Sequence, residues 1–181
     1  MASEIRIPVD LRSPEQTGLA GNSFWTVSSG VASQQGYWAF LGNTSGGSGT
    51  GIDVTGGIVY GLVQMPKNLE PDSTGIFVLA MGASATAGGL SAWRVSYSEI
   101  QTGVKFDLTA NAWNAINAKN WTAPTTGYAR HDMTFDTTGT FTAESIVMVR
   151  LERDTDGTSA TDNITATVGV FDAYVQITAT A

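Results

Sequence analysis

Along most of this chain apolar and polar residues alternate with a period of two, the spacing that puts side chains on opposite faces of a pleated strand. In IVMVRLER, residues 146–153, Val147, Val149 and Leu151 share one face while Met148, Arg150 and Glu152 share the other. In GVFDAYVQIT, residues 169–178, Phe171, Ala173, Val175 and Ile177 oppose Asp172, Tyr174 and Gln176. WRVSYSEI, residues 93–100, sets Trp93, Val95 and Tyr97 against Arg94, Ser96 and Ser98, and ARHDMTFD, residues 129–136, alternates likewise. SFWTVS (23–28) and YWAFL (37–41) read as aromatic-rich strands, and GIFVLAM (75–81) as a strand buried on both faces.

Two segments break this rhythm. Residues 1–20 carry Ile5, Ile7, Val9 and Leu11 in alternation, punctuated by Pro8 and Pro14, with no hairpin partner beside them. They form an extended arm that pairs with an edge of its own domain or reaches a neighbour. LTANAWNAINAKNW, residues 108–121, is Ala-rich with Trp113 and Ile116 three apart, which predicts a short helix or an ordered irregular insertion. GNTSGGSGTG (42–51), Pro66 to Pro71, TTGT (137–140) and DTDGTSATDN (154–163) supply turns and loops.

About eight or nine strand candidates with uneven loops need a second layer to bury their apolar faces. The prediction is an all-β fold: a two-sheet antiparallel β-sandwich of jelly-roll type, residues 21–181, preceded by the arm, residues 1–20. No repeat of fixed period supports a propeller or β-helix.

Composition narrows the chemistry. With 181 residues and no cysteine, one domain holds itself together by packing, oxygen-bound ions or assembly, not by disulfides or thiolate-bound metals. A net charge of −7, with nine basic residues scattered along the chain, argues against nucleic acid and anionic membranes as partners. No long apolar run or basic-apolar leader is present, so the expectation is a soluble protein made without a secretory signal, or one from which the signal has been removed.

Three groups of residues are candidates for chemistry. Asp154, Asp156 and Asp162 offer the oxygen ligands calcium takes, although Gly157 and Thr165 do not fit an EF-hand loop; a solvated turn is the competing reading. His131, the single histidine, shares a strand face with Met133 and Phe135 and has no nucleophile elbow to serve, so it reads as a packed structural residue. Trp25, Trp38, Trp113 and Trp121, with Tyr37 and Trp93, are either a sugar-stacking platform or core anchors, and exposure decides which. Sixteen acids form no catalytic-pair motif, and no enzymatic activity is expected.

The C-terminal pattern, a strand ending in Arg-Leu-Glu-Arg-Asp, a polar loop, then Gly-Val-Phe-Asp-Ala-Tyr-Val-Gln-Ile, resembles the closing strands of small jelly-roll proteins of tailed-phage virions, over residues 146–177. That resemblance implies a capsid decoration or cement protein on the virion surface, made in the host cytoplasm, contacting itself as a homotrimer and the phage major capsid protein. On that expectation Ile5, Ile7, Val9 and Leu11 dock the arm on the capsid or a neighbouring subunit, and deleting residues 2–12 removes attachment but leaves the fold intact. The alternative is a carbohydrate- or host-receptor-binding module of a tail fibre, with Trp25, Trp38, Trp113 and Trp121 against the glycan.

Overall fold

The computed structural model describes residues 2–14, 23–27, 36–40, 57–83, 89–100, 113–124, 129–153, 162–164 and 167–180. Wherever the sequence alternates, the chain is strand, and every ladder is antiparallel. Sheet I runs β10 (His131–Thr140), β6 (Thr74–Ala83), β12 (Val168–Thr180), β4 (Gly36–Phe40) and β3 (Ser23–Val27), with β1 (Ala2–Pro8) along the distal half of β12. Sheet II runs β2 (Asp10–Pro14), β5 (Ile58–Gln64), β11 (Ile146–Arg153) and β7 (Leu90–Ile100), whose far edge carries β8 (Asn114–Ala115) and β9 (Lys119–Thr122). From β4 onward the chain winds back and forth between the sheets, giving a jelly-roll sandwich.

The inner faces interdigitate in one core. Sheet I supplies Phe40, Phe77, Leu79, Met81, Phe135, Val170 and Val175; sheet II supplies Val59, Val63, Trp93, Val95, Val149 and Leu151. Phe40 meets Trp93 edge-on across the sandwich at 4.9 Å between ring centroids, and Tyr97 and Phe141 pack in the same T-shaped way at 5.5 Å. GIFVLAM is buried on both faces, as its unbroken apolar run predicts: Val78 and Ala80 point away from the core yet are buried, alongside Ala39 and Tyr174.

Of the two expectations for the arm, the pairing of residues 2–14 bears out the first, an edge of its own domain. These residues are strands of their own sandwich. β1 lies on β12 from Ala2 opposite Thr180 to Pro8 opposite Tyr174, and β2 lies on β5. Between them the chain steps from one sheet to the other at Val9, whose N–H donates to the Ala173 carbonyl at 2.8 Å and whose side chain is buried. Ile5, Ile7 and Leu11 pack against the core, and Gly61 makes room, since a Cβ there would come within 2.7 Å of Val9. Ile5, Ile7, Val9 and Leu11 thus pack within the chain's own sandwich.

Two expectations change. Within 113–122 the chain is extended, not helical: Ile116 donates its N–H to Val95 and buries its side chain, because the edge of β7 offers partners that an isolated Ala/Asn-rich turn lacks. Residues 108–112 lie outside the described residues. His131 is exposed, because it opens β10 at the rim of the sheet; alternation buries only Met133 and Phe135 beyond it.

Deleting residues 2–12 removes a strand from each sheet and uncovers the Val9 site. The truncated chain is expected to lose its cooperative thermal transition, read by circular dichroism, because a domain holds only about 5–15 kcal/mol in total. A more local change, Gly75→Ala, places a methyl 2.6 Å from the Phe141 ring and is expected to cost about 1–3 kcal/mol in denaturant unfolding.

Candidate functional site

The acidic segment of the sequence proves to be part of a staple. Asp162 and Arg153 are both fully buried at their side chains and form a bidentate pair, with Nε donating to Oδ2 at 2.9 Å and Nη2 to Oδ1 at 3.0 Å. The same guanidinium donates to the carbonyls of Phe40, at 3.1 Å, and Ile164, at 2.6 Å. Asp162 also accepts from the backbone N–H groups of Ala92 and Ile164. With both oxygens so engaged, Asp162 is a structural anion and not a ligand waiting for calcium. Asp154 and Asp156 lie outside the described residues, and no cluster of three or more metal-type ligands occurs among the described ones.

The four tryptophans do not gather into one platform. Trp38 and Trp121 are buried in the inter-sheet core. Trp25 is placed by its backbone opposite Trp38 on the edge strand β3, and its side chain lies outside the described residues. Only Trp113 faces outward among those described: half-buried, it approaches Tyr60 with 6.1 Å between ring centroids and 39° between the planes.

That contact marks the outer face of sheet II. Antiparallel register aligns Tyr60, Arg150, Ser96 and Ala115 in one row across β5, β11, β7 and β8, and Ile58, Glu152 and Arg94 in the next. Paired residues point to the same side of a sheet, so these side chains all lie opposite Val149, Leu151 and Val95 of the core. Trp113, coming from the β8 side, therefore reaches over the sheet to meet the Tyr60 ring on β5.

The centre of the strip is charged. Glu152 is 5% exposed at its side chain, with Arg150 3.3 Å and Arg94 3.9 Å from its Oε2; each arginine side chain is 30% exposed. These ion-pair contacts neutralise the carboxylate without satisfying it: Glu152 Oε2 and Arg150 Nε are buried and have no hydrogen-bond partner. Among the described residues, Trp121 Nε1 is the one other buried side-chain atom in that condition. Orphaned buried polar atoms are rare in native folds, and two adjacent ones, a donor and an acceptor, single out this face.

The outer face of sheet I is polar and aromatic too, but none of its described buried side-chain polar atoms lacks a partner. The Tyr37 and Phe171 rings meet at 5.4 Å, each lying over a glycine, Gly169 and Gly82, that a Cβ would close. Arg6 lies over the Tyr174 ring, and Arg130 binds Asp132 at 3.0 Å, a hydrogen bond that raises the arginine above its usual pKa. This surface packs against itself.

Tyr60, Arg94, Arg150 and Glu152 were not among the sequence candidates. Alternation already put Arg150 and Glu152 outside, and Arg94 outside on another run, but nothing local says that β5, β11 and β7 are neighbours.

No protein-family model and no curated protein matches the chain. Several solved structures are similar in outline. The CBM22-1–GH10 modules of Clostridium thermocellum endo-1,4-beta-D-xylanase 10B, complexed with xylohexaose, align at a TM-score of 0.47 and 12% identity, over 97% of this chain and 28% of that one. A CBM4 structure aligns at 0.43 and 16% identity, over 91% of this chain and 84% of that one. The K3 cleaved adhesin domain of Lys-gingipain from Porphyromonas gingivalis aligns at 0.41 and 12% identity, over 96% and 98%. The likeness is one of sandwich architecture and extends no further.

Asp162→Ala leaves the Arg153 guanidinium buried without its counter-ion and is expected to cost about 3–5 kcal/mol in denaturant unfolding. Addition or chelation of calcium should leave the midpoint of that variant and of the parent where it was.

Proposed function

We propose that this chain is a non-catalytic carbohydrate-binding module and that its ligand lies on the outer face of sheet II. The observation that carries the reading is the pair of orphaned atoms, Arg150 Nε and Glu152 Oε2, on the face that also carries the Trp113–Tyr60 ring contact. Both atoms are buried, so a sugar hydroxyl, which accepts and donates a hydrogen bond, answers them together only where binding displaces the side chains that cover them. The apolar C–H face of a pyranose stacks on an aromatic ring, which Trp113 and Tyr60 supply at the same strip.

A protein partner would want a larger apolar centre than this strip offers. Capsid cementing through Ile5, Ile7, Val9 and Leu11 is less favoured, since these side chains pack against the chain's own core. On a phage particle, a module of this kind belongs with attachment to a host-surface glycan.

A glycan array followed by titration calorimetry tests the reading. Binding of at least one glycan class is expected, with Trp113→Ala and Tyr60→Ala each weakening it about tenfold or more, roughly 1.4 kcal/mol, while thermal unfolding stays close to the parent's. An array blank at millimolar glycan, or binding untouched by both substitutions, contradicts it.

A further inference from the structure

We infer that the outer edge of β1 is a pairing surface for a second copy of this chain, laid antiparallel about a two-fold axis at Ile5. In the ladder with β12, Ile5 lies opposite Ile177 and Ile7 opposite Val175, and Val9 donates its N–H to the Ala173 carbonyl. Odd-numbered residues therefore bond towards β12, and the N–H and C=O groups of Glu4 and Arg6, with the Pro8 carbonyl, point the other way. Among the described residues no strand takes them up. The side chains show the same opening: Ile5 and Ile7 face the core yet are only half-buried, whereas Val9, where the chain crosses to sheet II, is buried.

Other edges are covered or broken. Along β10, Lys119 Nζ donates to the Thr134 carbonyl at 2.9 Å and the Gly139 N–H donates to the Tyr97 hydroxyl at 3.0 Å, so side chains of sheet II close that edge. β2 shifts register between Leu11 and Ser13 and ends at Pro14, two features that spoil a template for pairing. β1, by contrast, runs seven residues without a register shift. Its outward side chains Glu4 and Arg6 are exposed, and charges there guard an edge against strands at large. Against a second copy they select one register. With Ile5 opposite Ile5, each Glu4 faces an Arg6 across the axis, and the backbone groups that β12 leaves free meet as hydrogen-bonded pairs. A slip of one residue puts those groups out of phase. A slip of two sets Glu4 against Glu4 or Arg6 against Arg6, and like charges directly opposite destabilise a strand pair.

Paired residues point to the same side of a sheet, so the axis stands perpendicular to it, sheet I continues through both copies, and both copies of sheet II lie on one side. On the carbohydrate reading, two ligand faces then look the same way, and a surface with repeated glycans engages both. The strand pairing itself does not depend on that reading. A single strand edge makes a small interface, in the weak class below about 1,200 Å².

Equilibrium sedimentation of the full chain, in about 0.15 M salt and at protein concentrations up to about 1 mM, is expected to show reversible monomer–dimer association. Arg6→Glu should weaken it about tenfold or more, and the double variant Glu4→Arg, Arg6→Glu should restore most of the loss, a rescue that a general effect on folding would not give. Because the chain has no cysteine, Ile5→Cys introduces a single thiol. The axis sets two such thiols opposite each other, within the roughly 4.4–6.8 Å between Cα atoms that a disulfide spans. Mild oxidation should therefore link Ile5→Cys into a covalent dimer, and link Ile7→Cys, which faces Ser3 of the second copy, far less. A monomer at the highest concentration, a trimer, a dimer indifferent to Arg6→Glu, a double variant no better than the single one, or equal cross-linking of the two cysteine variants overturns the inference. None of these outcomes bears on glycan binding by the single chain, which the array and calorimetry decide.

Discussion

A single buried guanidinium, that of Arg153, fixes how the two sheets meet. Withdrawing such a charge from water costs several kcal/mol unless it is paired and hydrogen-bonded, so its position tolerates little displacement. Asp162 takes two of its N–H groups, and the Phe40 carbonyl on β4 and the Ile164 carbonyl ahead of β12 take others. One side chain on the last residue of β11 thus ties sheet II to sheet I and to the segment that leads into the closing strand. Packing then completes what the ion pair orients, with Phe40 edge-on to Trp93 beside it.

The same strand carries the candidate site on its other side. Arg153 and Leu151 point into the sandwich, and Arg150 and Glu152 point out, because successive residues of a strand alternate faces. Anchoring the end of β11 therefore also sets where the outward arginine and glutamate stand relative to Tyr60 on β5 and Arg94 on β7. The inner charge is saturated and the outer ones are not. That contrast between two neighbouring ionic groups, one closed and one incomplete, is the physical basis for reading the outer group as a binding surface.

Strand identity was legible in the sequence because period-two patterns report which residues share a face, as in IVMVRLER and WRVSYSEI. The jelly-roll class followed from the number of strands and the unevenness of the loops. Partnership between strands was not legible: Ile5 to Leu11 alternate like a free arm, and only the register shows them spent on β12 and β5. Trp38 and Trp121 look like platform residues by type alone, yet both are core. Asp162 resembled a calcium ligand until its partner, nine residues away on β11, was in view. The site failed to show for the same reason, since its residues come from three strands distant in sequence.

The most direct test of the account is a nitrogen-15 NMR titration of the full chain with the tightest glycan found on the array, mapping which amides shift. The account predicts that the perturbed residues form one patch, Tyr60, Arg94, Ser96, Trp113, Arg150 and Glu152, with saturation at the calorimetric affinity. Shifts confined to the outer face of sheet I, around Tyr37, Phe171 and Tyr174, would contradict it.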